Sequence, residues 1–403
     1  MVVRTVGRGT GRTLLPLGLM FLAVGISSAL MLPFLALFLS TEVGAGPVRV
    51  TVFLIAAPLS GVVASSLVAR LSDRRAIRRR LLIGAALAGF AGCLATAFVR
   101  DYWILLGLAV TGLAVAGALY PQTFAFARQV LLRDNPGGAA MAISSLRTVF
   151  SVAWVGGPPL AAVLLQTGGF RYVYGAAALM YLAAAAVATF RLVEPPAIGA
   201  APVEGTTPAP VPAGPDASRA TLLLAAAGFT LLQCPLTLGA QALSLYTSND
   251  LGGDVSDAGL ILGLCAALEI PLMLGLGWLS TRLKLRSLIL GGAAVGAAYY
   301  ALATAAGAVW VLLVGQLLHA LFIAAVSGLG ISYVQEMLPR QPGRATTLFT
   351  NTFPIGAMLA GPLLGVAQLF GYRLAYAMGT ALCVAGLILL VAARPPRPDH
   401  QVG

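Results

Sequence analysis

Long apolar runs alternate with short basic or turn-rich breaks along almost the whole chain. A bilayer core about 30 Å thick needs roughly 20 apolar residues per crossing helix. Twelve runs meet that length, at about 14–39, 48–69, 81–99, 102–127, 138–165, 172–190, 220–246, 255–280, 287–307, 309–337, 343–369 and 372–393. The pattern therefore predicts twelve membrane-spanning helices. Arg4, Arg8 and Arg12 precede the first run as they would in a signal peptide. That run is too long for a signal h-region, and no A-x-A-like site closes it before Glu42, so an uncleaved first helix is expected.

Between the sixth and seventh runs lies 194-EPPAIGAAPVEGTTPAPVPAGPDASR-219, with seven prolines in 26 residues. Such a stretch cannot build a packed core and reads as a solvated linker. It divides the chain into 1–193, 194–219 and 220–403. The two halves repeat one another. Arg147 stands ahead of 157-GPPL and Asn351 ahead of 361-GPLL; each then leads to a short break, 169-GFR and 371-GYR. The segment 69-ARLSDRRAIRRR after the second run is matched by 277-GWLSTRLKLR after the eighth. Two parallel six-helix halves on one linker resemble the major facilitator superfamily, which implies an all-α membrane protein of two pseudo-symmetric bundles.

Composition agrees and narrows the class. Apolar residues are 59% and charged residues 9% of the chain, against roughly a quarter charged in soluble proteins. A soluble globule and a disordered chain are both excluded. The net charge of +12 does not indicate nucleic acid, because the basic residues are scattered through alternate breaks rather than gathered in one patch. Twenty of the 25 lie at the N-terminus, in the even-to-odd loops and in the tail; Arg49, Arg100, Arg171 and Arg373 lie on the other side. By the positive-inside rule the first side, with both termini, is cytoplasmic. Cys93, Cys234, Cys265 and Cys383 all sit in apolar runs without metal-ligand spacing, so neither a disulfide framework nor a metal site is expected. The only lysine, Lys284, has no P-loop before it, and no G-x-S-x-G or H-E-x-x-H motif occurs. Neither an ATP-driven pump nor an enzyme is expected, and no cofactor.

Ionisable residues inside spans carry the function, because each costs about 2.5–3.5 kcal/mol or more at a helix centre. Two lie well inside: Arg147 in span five and Glu269 in span eight, in 268-LEIP. Both are expected to face a central cavity. They form either a fixed ion pair or a working pair, in which Glu269 exchanges a proton and Arg147 holds a hydroxyl-rich or anionic group. In span seven Gln233, Thr237, Gln241 and Ser244 recur at spacings of four, four and three, on one helical face. Amides and hydroxyls there suit either a neutral polyol or hydrogen bonding between helices. Tyr120 and Gln122 in span four and Asn351 in span eleven join the candidates, although Tyr120 also precedes Pro121 and so marks a kink. His319, near the middle of span ten, reads as a hydrogen-bonding residue or a proton carrier. For gating, Asp73, Arg74, Arg78, Arg79 and Arg80 offer charge pairing at the cytoplasmic side, with Glu336 a further candidate. Pro33, Pro58, Pro235, Pro271 and Pro354 are positioned to bend or open helices.

Over essentially all twelve spans the chain resembles the sugar efflux transporters of the major facilitator superfamily. The matched segments are 34-FLALFLSTEVGA, 121-PQTFAFAR, 147-RTVFSVAWVGGPP, 268-LEIP and 345-ATTLFTN. The resemblance implies export of sugars, glucosides or related small hydroxylated molecules by proton antiport. It also implies Arg147, Glu269 and Asn351 as the central polar residues. The expected partners are the solute, protons and membrane lipid, with no nucleic acid, and the protein is expected to work as a monomer. The chain departs from the superfamily at Ala69, where glycine is usual, at the extra Ile77, and at Gln241, where relatives carry an acid. The last departure shifts proton coupling to Glu269. The rival readings are a drug exporter of the same fold, which would prefer an apolar, aromatic cavity, a scaffold that has lost transport, and an intramembrane enzyme.

Overall fold

The computed structural model describes residues 8–74, 77–134, 139–194 and 216–394, and every regular element among them is helical. The spans are α1 Leu14–Thr41, α2 Pro47–Ser72, α3 Arg78–Phe98, α4 Tyr102–Leu131, a joined helix Ser145–Phe190, α7 Arg219–Asp250, α8 Val255–Leu279, α9 Leu285–Ala305, α10 Val309–Met337, α11 Gly343–Phe370 and α12 Arg373–Ala392. The joined helix has 46 residues, about 69 Å at 1.5 Å per residue and more than twice a bilayer core. Gly169 breaks it, with φ 66° and ψ −164°, into α5 (145–168) and α6 (170–190). The twelve spans lie where the apolar runs placed them. The linker residues 195–215 fall outside the described residues.

Glycine makes the tight joints. Among the described residues four glycines have positive φ: Gly44, Gly169, Gly252 and Gly371. Only glycine adopts that backbone without a Cβ penalty. They form two pairs, one member in each sequence half. Gly44 and Gly252 come just before α2 and α8, and Gly169 and Gly371 just before α6 and α12. The repeat seen in the sequence is thus a repeat of backbone geometry.

Arginines repeat in the same way. Arg79, at the start of α3, donates from Nε to the Ala188 carbonyl at 3.0 Å and also to that of Thr189, at the end of α6. Arg286, at the start of α9, donates to the Ala393 and Val391 carbonyls at the end of α12, at 2.7 and 2.8 Å. A helix C-terminus leaves carbonyls without donors and carries partial negative charge, so a guanidinium there is doubly favourable.

The chain packs as two units. One comprises Met1–Ala45, Ala56–Ala200 and Ala258–Gly263. In it α1 and α3 both lie against the α5–α6 pair, and α3 also meets α4. Gly259 and Gly263 approach α5 so closely that a Cβ on either would stand 2.8 Å from a backbone oxygen, of Pro158 and Val155 respectively. The other unit comprises Gly46–Ile55, Ala201–Asp257 and Leu264–Gly403. There α7 packs on α11 and α12, and α9 on α10 and α12, while Thr51 Oγ1, from the start of α2, donates to the Gly361 carbonyl of α11 at 3.2 Å.

In lipid, helices associate through close packing rather than apolar burial, so small residues mark the tightest seams. The α7–α12 seam shows this. A Cβ on Gly386 would lie 2.9 Å from the Gly228 oxygen and 2.9 Å from Leu232 Cγ. Gly386→Val is therefore expected to destabilise the protein by about 1–3 kcal/mol through overpacking. The unfolding midpoint of the purified protein in detergent measures this, and an unchanged midpoint contradicts the seam.

Candidate functional site

In the first unit the site is built on interruptions of α4. A π-helical turn at Ala109–Leu113 widens the helix, and a second break at Ala118 precedes Leu119–Asp134. Such π-bulges are rare and frequently found at functional sites. Pro121 has no N–H to give to the Gly117 carbonyl, which keeps the helix open beside Tyr120. Tyr120 is half-buried and its ring tilts against Phe150 of α5 with centroids 4.3 Å apart. Phe124, one turn further along α4, meets Tyr120 edge-on at 5.0 Å. Arg147 lies one turn before Phe150, is exposed, and acts electrostatically on the Tyr120 hydroxyl. Gln122 is 5% exposed, and its Oε1 has no hydrogen-bond partner among the described residues. The structure thus joins Tyr120 to Phe150, one turn from Arg147, and sets Gln122 into the helix packing.

In the second unit the span-seven stripe is largely covered. Gln233, Gln241 and Ser244 are 2%, 6% and 0% exposed, and only Thr237 is half-buried. Gln233 lies against Gly356 of α11, where an added Cβ would come within 3.0 Å of the Gln233 Cβ. Asn351 is exposed and stands at the joint between the two pieces of α11, Pro342–Thr350 and Thr352–Phe370. Pro354 is the cause, since it leaves the Thr350 carbonyl without its helical donor. Thr352 Oγ1 stitches the joint by donating to the Phe349 carbonyl at 2.6 Å.

His319 sits in a polar aromatic cluster of α8, α9 and α10. Its ring stacks on Tyr299, with centroids 4.2 Å apart and planes 8° apart. Gln316 Nε2 donates to the Tyr299 hydroxyl at 3.2 Å and to the Leu312 carbonyl at 2.9 Å. The Gln316 oxygen therefore accepts, from His319 Nδ1 at 3.2 Å. His319 Nε2 is left as the acceptor for the Tyr300 hydroxyl at 3.5 Å. Cys265 Sγ also lies 3.5 Å from Nδ1. Both ring nitrogens are engaged within this unit by a neutral imidazole. Glu269, half-buried, follows Cys265 by one turn of α8 and acts electrostatically on its thiol.

The basic loop after α2 is only partly described. Asp73 and Arg74 end their helix, and their side chains lie outside the described residues. Arg78 is buried and donates to Gln129 Oε1 at 3.2 Å and Ser72 Oγ at 3.5 Å. The Arg79 backbone N–H donates to the Glu194 carboxylate at 3.0 Å. Arg80 and Glu336 are exposed. Sequence reasoning did not single out Phe124, Phe150, Tyr299 or Gln316. Phe150 was within reach, because it shares a helical face with Arg147. Tyr299 carried no signal, being an aromatic residue in an apolar run.

Twelve apolar spans in two repeated sets of six, with α4 and α11 broken beside Tyr120 and Asn351, define a multi-pass membrane protein. The sequence matches the Major Facilitator Superfamily over residues 17–306 and 236–403. It is 35% identical to sugar efflux transporter A of Dickeya chrysanthemi over 370 residues, which cover 91% of this chain and 92% of the relative. It is 33% identical to sugar efflux transporter A of Escherichia coli K12 over 373 residues, with the same two coverages. Solved structures share the fold. The nucleoside transporter NupG has a TM-score of 0.72 at 13% identity, covering 96% of this chain and 100% of that one. A bacterial homolog of the human lysosomal transporter Spinster scores 0.73 at 16% identity, covering 96% of each. The chain belongs to the sugar efflux transporters of the Major Facilitator Superfamily. The relatives it matches are named as transporters, not enzymes.

Proposed function

We propose that this protein exports sugars or related small hydroxylated molecules across the cytoplasmic membrane by alternating access, in exchange for protons. The observation that carries the reading is identity of about one third, over nine-tenths of the chain, to proteins named sugar efflux transporters. The chemistry of the site residues supports it. Arg147 offers a fork of donors to adjacent hydroxyls, and Asn351 presents an amide at the α11 joint. Gln233, Thr237 and Gln241 of α7 add amides and a hydroxyl to the candidate set. Glu269 is the proton carrier, and His319 holds the polar cluster beside it in place. The basic loop from Asp73 to Arg80 and Glu336 serve gating. The distribution of basic residues supports cytoplasmic termini.

Everted membrane vesicles test this reading. Vesicles containing the protein should accumulate radiolabelled lactose or a methyl glucoside when their lumen is acidified, and vesicles without it should not. Equal uptake by the two preparations would refute sugar export.

A further inference from the structure

We propose that Tyr120, Phe124 and Phe150 form an aromatic wall on which the C–H face of a pyranose ring packs, with Arg147 bonding the hydroxyls at the ring's edge. The proposal rests on the reading of the chain as a sugar exporter and names the residues that would recognise the ring itself.

The wall is a built feature. Phe21 of α1 is fully buried behind it, with its ring 4.5 Å from Phe124 and 6.1 Å from Tyr120, near-perpendicular to both. Tyr120, Phe124 and Phe150 are each half-buried, so one part of each ring is backed by protein and another is open. Arg147 precedes Phe150 by one turn on the same helical face of α5, and Phe150 is in ring contact with Tyr120; a guanidinium turned toward hydrocarbon is costly. The open side of the wall is thus a polar space.

That combination selects a chemical class. A pyranose has two weakly polar faces of C–H groups and an equatorial belt of hydroxyls. An aromatic face, which carries negative charge density, attracts the C–H groups and gains their apolar burial. The hydroxyl belt needs several donors fixed in one plane, which guanidinium supplies. A lipophilic cation would gain the rings but meet the repulsion of Arg147. A strongly apolar solute would leave the guanidinium desolvated and unpaired.

The test is binding of methyl β-glucoside to the purified protein, by equilibrium dialysis, with the unfolding temperature recorded for each variant. Phe150→Leu keeps apolar volume but removes the aromatic face, and Phe150→Trp restores a face. The leucine variant should bind the glucoside about tenfold more weakly, with its unfolding temperature unchanged, and the tryptophan variant should bind nearly as well as wild type. Phe124→Leu, on a different helix, is read in the same way should Phe150→Leu fail to fold. Wild-type affinity in both leucine variants overturns the wall, as does a loss that tryptophan does not restore. In either case the sugar-export reading stands, because wild type still binds. If wild type binds neither the glucoside nor lactose, the export reading falls, and the wall with it.

Discussion

Glu269→Gln is expected to abolish sugar movement driven by a pH gradient while leaving sugar-for-sugar exchange intact. Glutamine keeps the shape and the hydrogen-bonding oxygen of the side chain but cannot titrate. Glu269 is half-buried in α8, one turn beyond Cys265 and two residues before Pro271. A charged side chain at the centre of a membrane span costs about 2.5–3.5 kcal/mol or more, and such residues mark proton and solute pathways. One proton exchanged per solute across a gradient of about one pH unit supports about tenfold accumulation. In proteoliposomes wild type should approach that ratio and the variant should show none, at unchanged exchange rate. Accumulation by the variant equal to wild type would move proton coupling to another residue.

The second large effect is expected at Arg147. Arg147→Ala should weaken sugar binding roughly 10- to 150-fold, the range for losing a hydrogen bond to a charged group. Arg147→Lys should fall between, since it keeps the charge but not the planar fork. Stability separates this role from a structural one. A guanidinium kept in the membrane for its solute costs folding free energy, so Arg147→Ala should unfold at the wild-type temperature or above it. A lower unfolding temperature with unchanged sugar affinity would make Arg147 one partner of a fixed ion pair instead.

The fold was legible because a bilayer allows so few solutions. Each crossing must be a helix that satisfies its own backbone and is apolar over about 20 residues, so run length alone located the spans. The repeat was legible at 169-GFR and 371-GYR because those joints need glycine's left-handed backbone, and Gly169 and Gly371 both adopt it. Breaks caused by proline were partly legible. The sequence prolines foretold the 3₁₀ turn Leu32–Phe34 at Pro33 and the α11 joint before Pro354, yet Pro58, Pro235 and Pro271 sit inside continuous helices. The π-helical turn Ala109–Leu113 has no proline, and nothing in 109-AVTGL announced it.

The site was less legible, for a physical reason. Periodicity says that residues share a helical face but not what that face meets. In a membrane a polar face meets either a wet cavity or another helix, and the side chains required are the same. Gln233, Gln241 and Ser244 share their face as their spacing indicated, and that face is mostly covered within its own unit. His319 shows the same limit, since its partners Tyr299, Tyr300 and Gln316 come from α9 and α10 packing. Aromatic residues in apolar runs are the hardest to read. Phe124 and Phe150 look like any other membrane-buried phenylalanine until the ring geometry beside Arg147 is seen.

The most direct test of the central claim is counterflow in proteoliposomes holding only this protein, with lactose, a methyl glucoside and a lipophilic cation supplied separately. The account predicts that preloaded lactose or glucoside drives uptake of its labelled form and that the cation does not move. Movement of the cation alone would contradict sugar export and identify a drug exporter of the same fold.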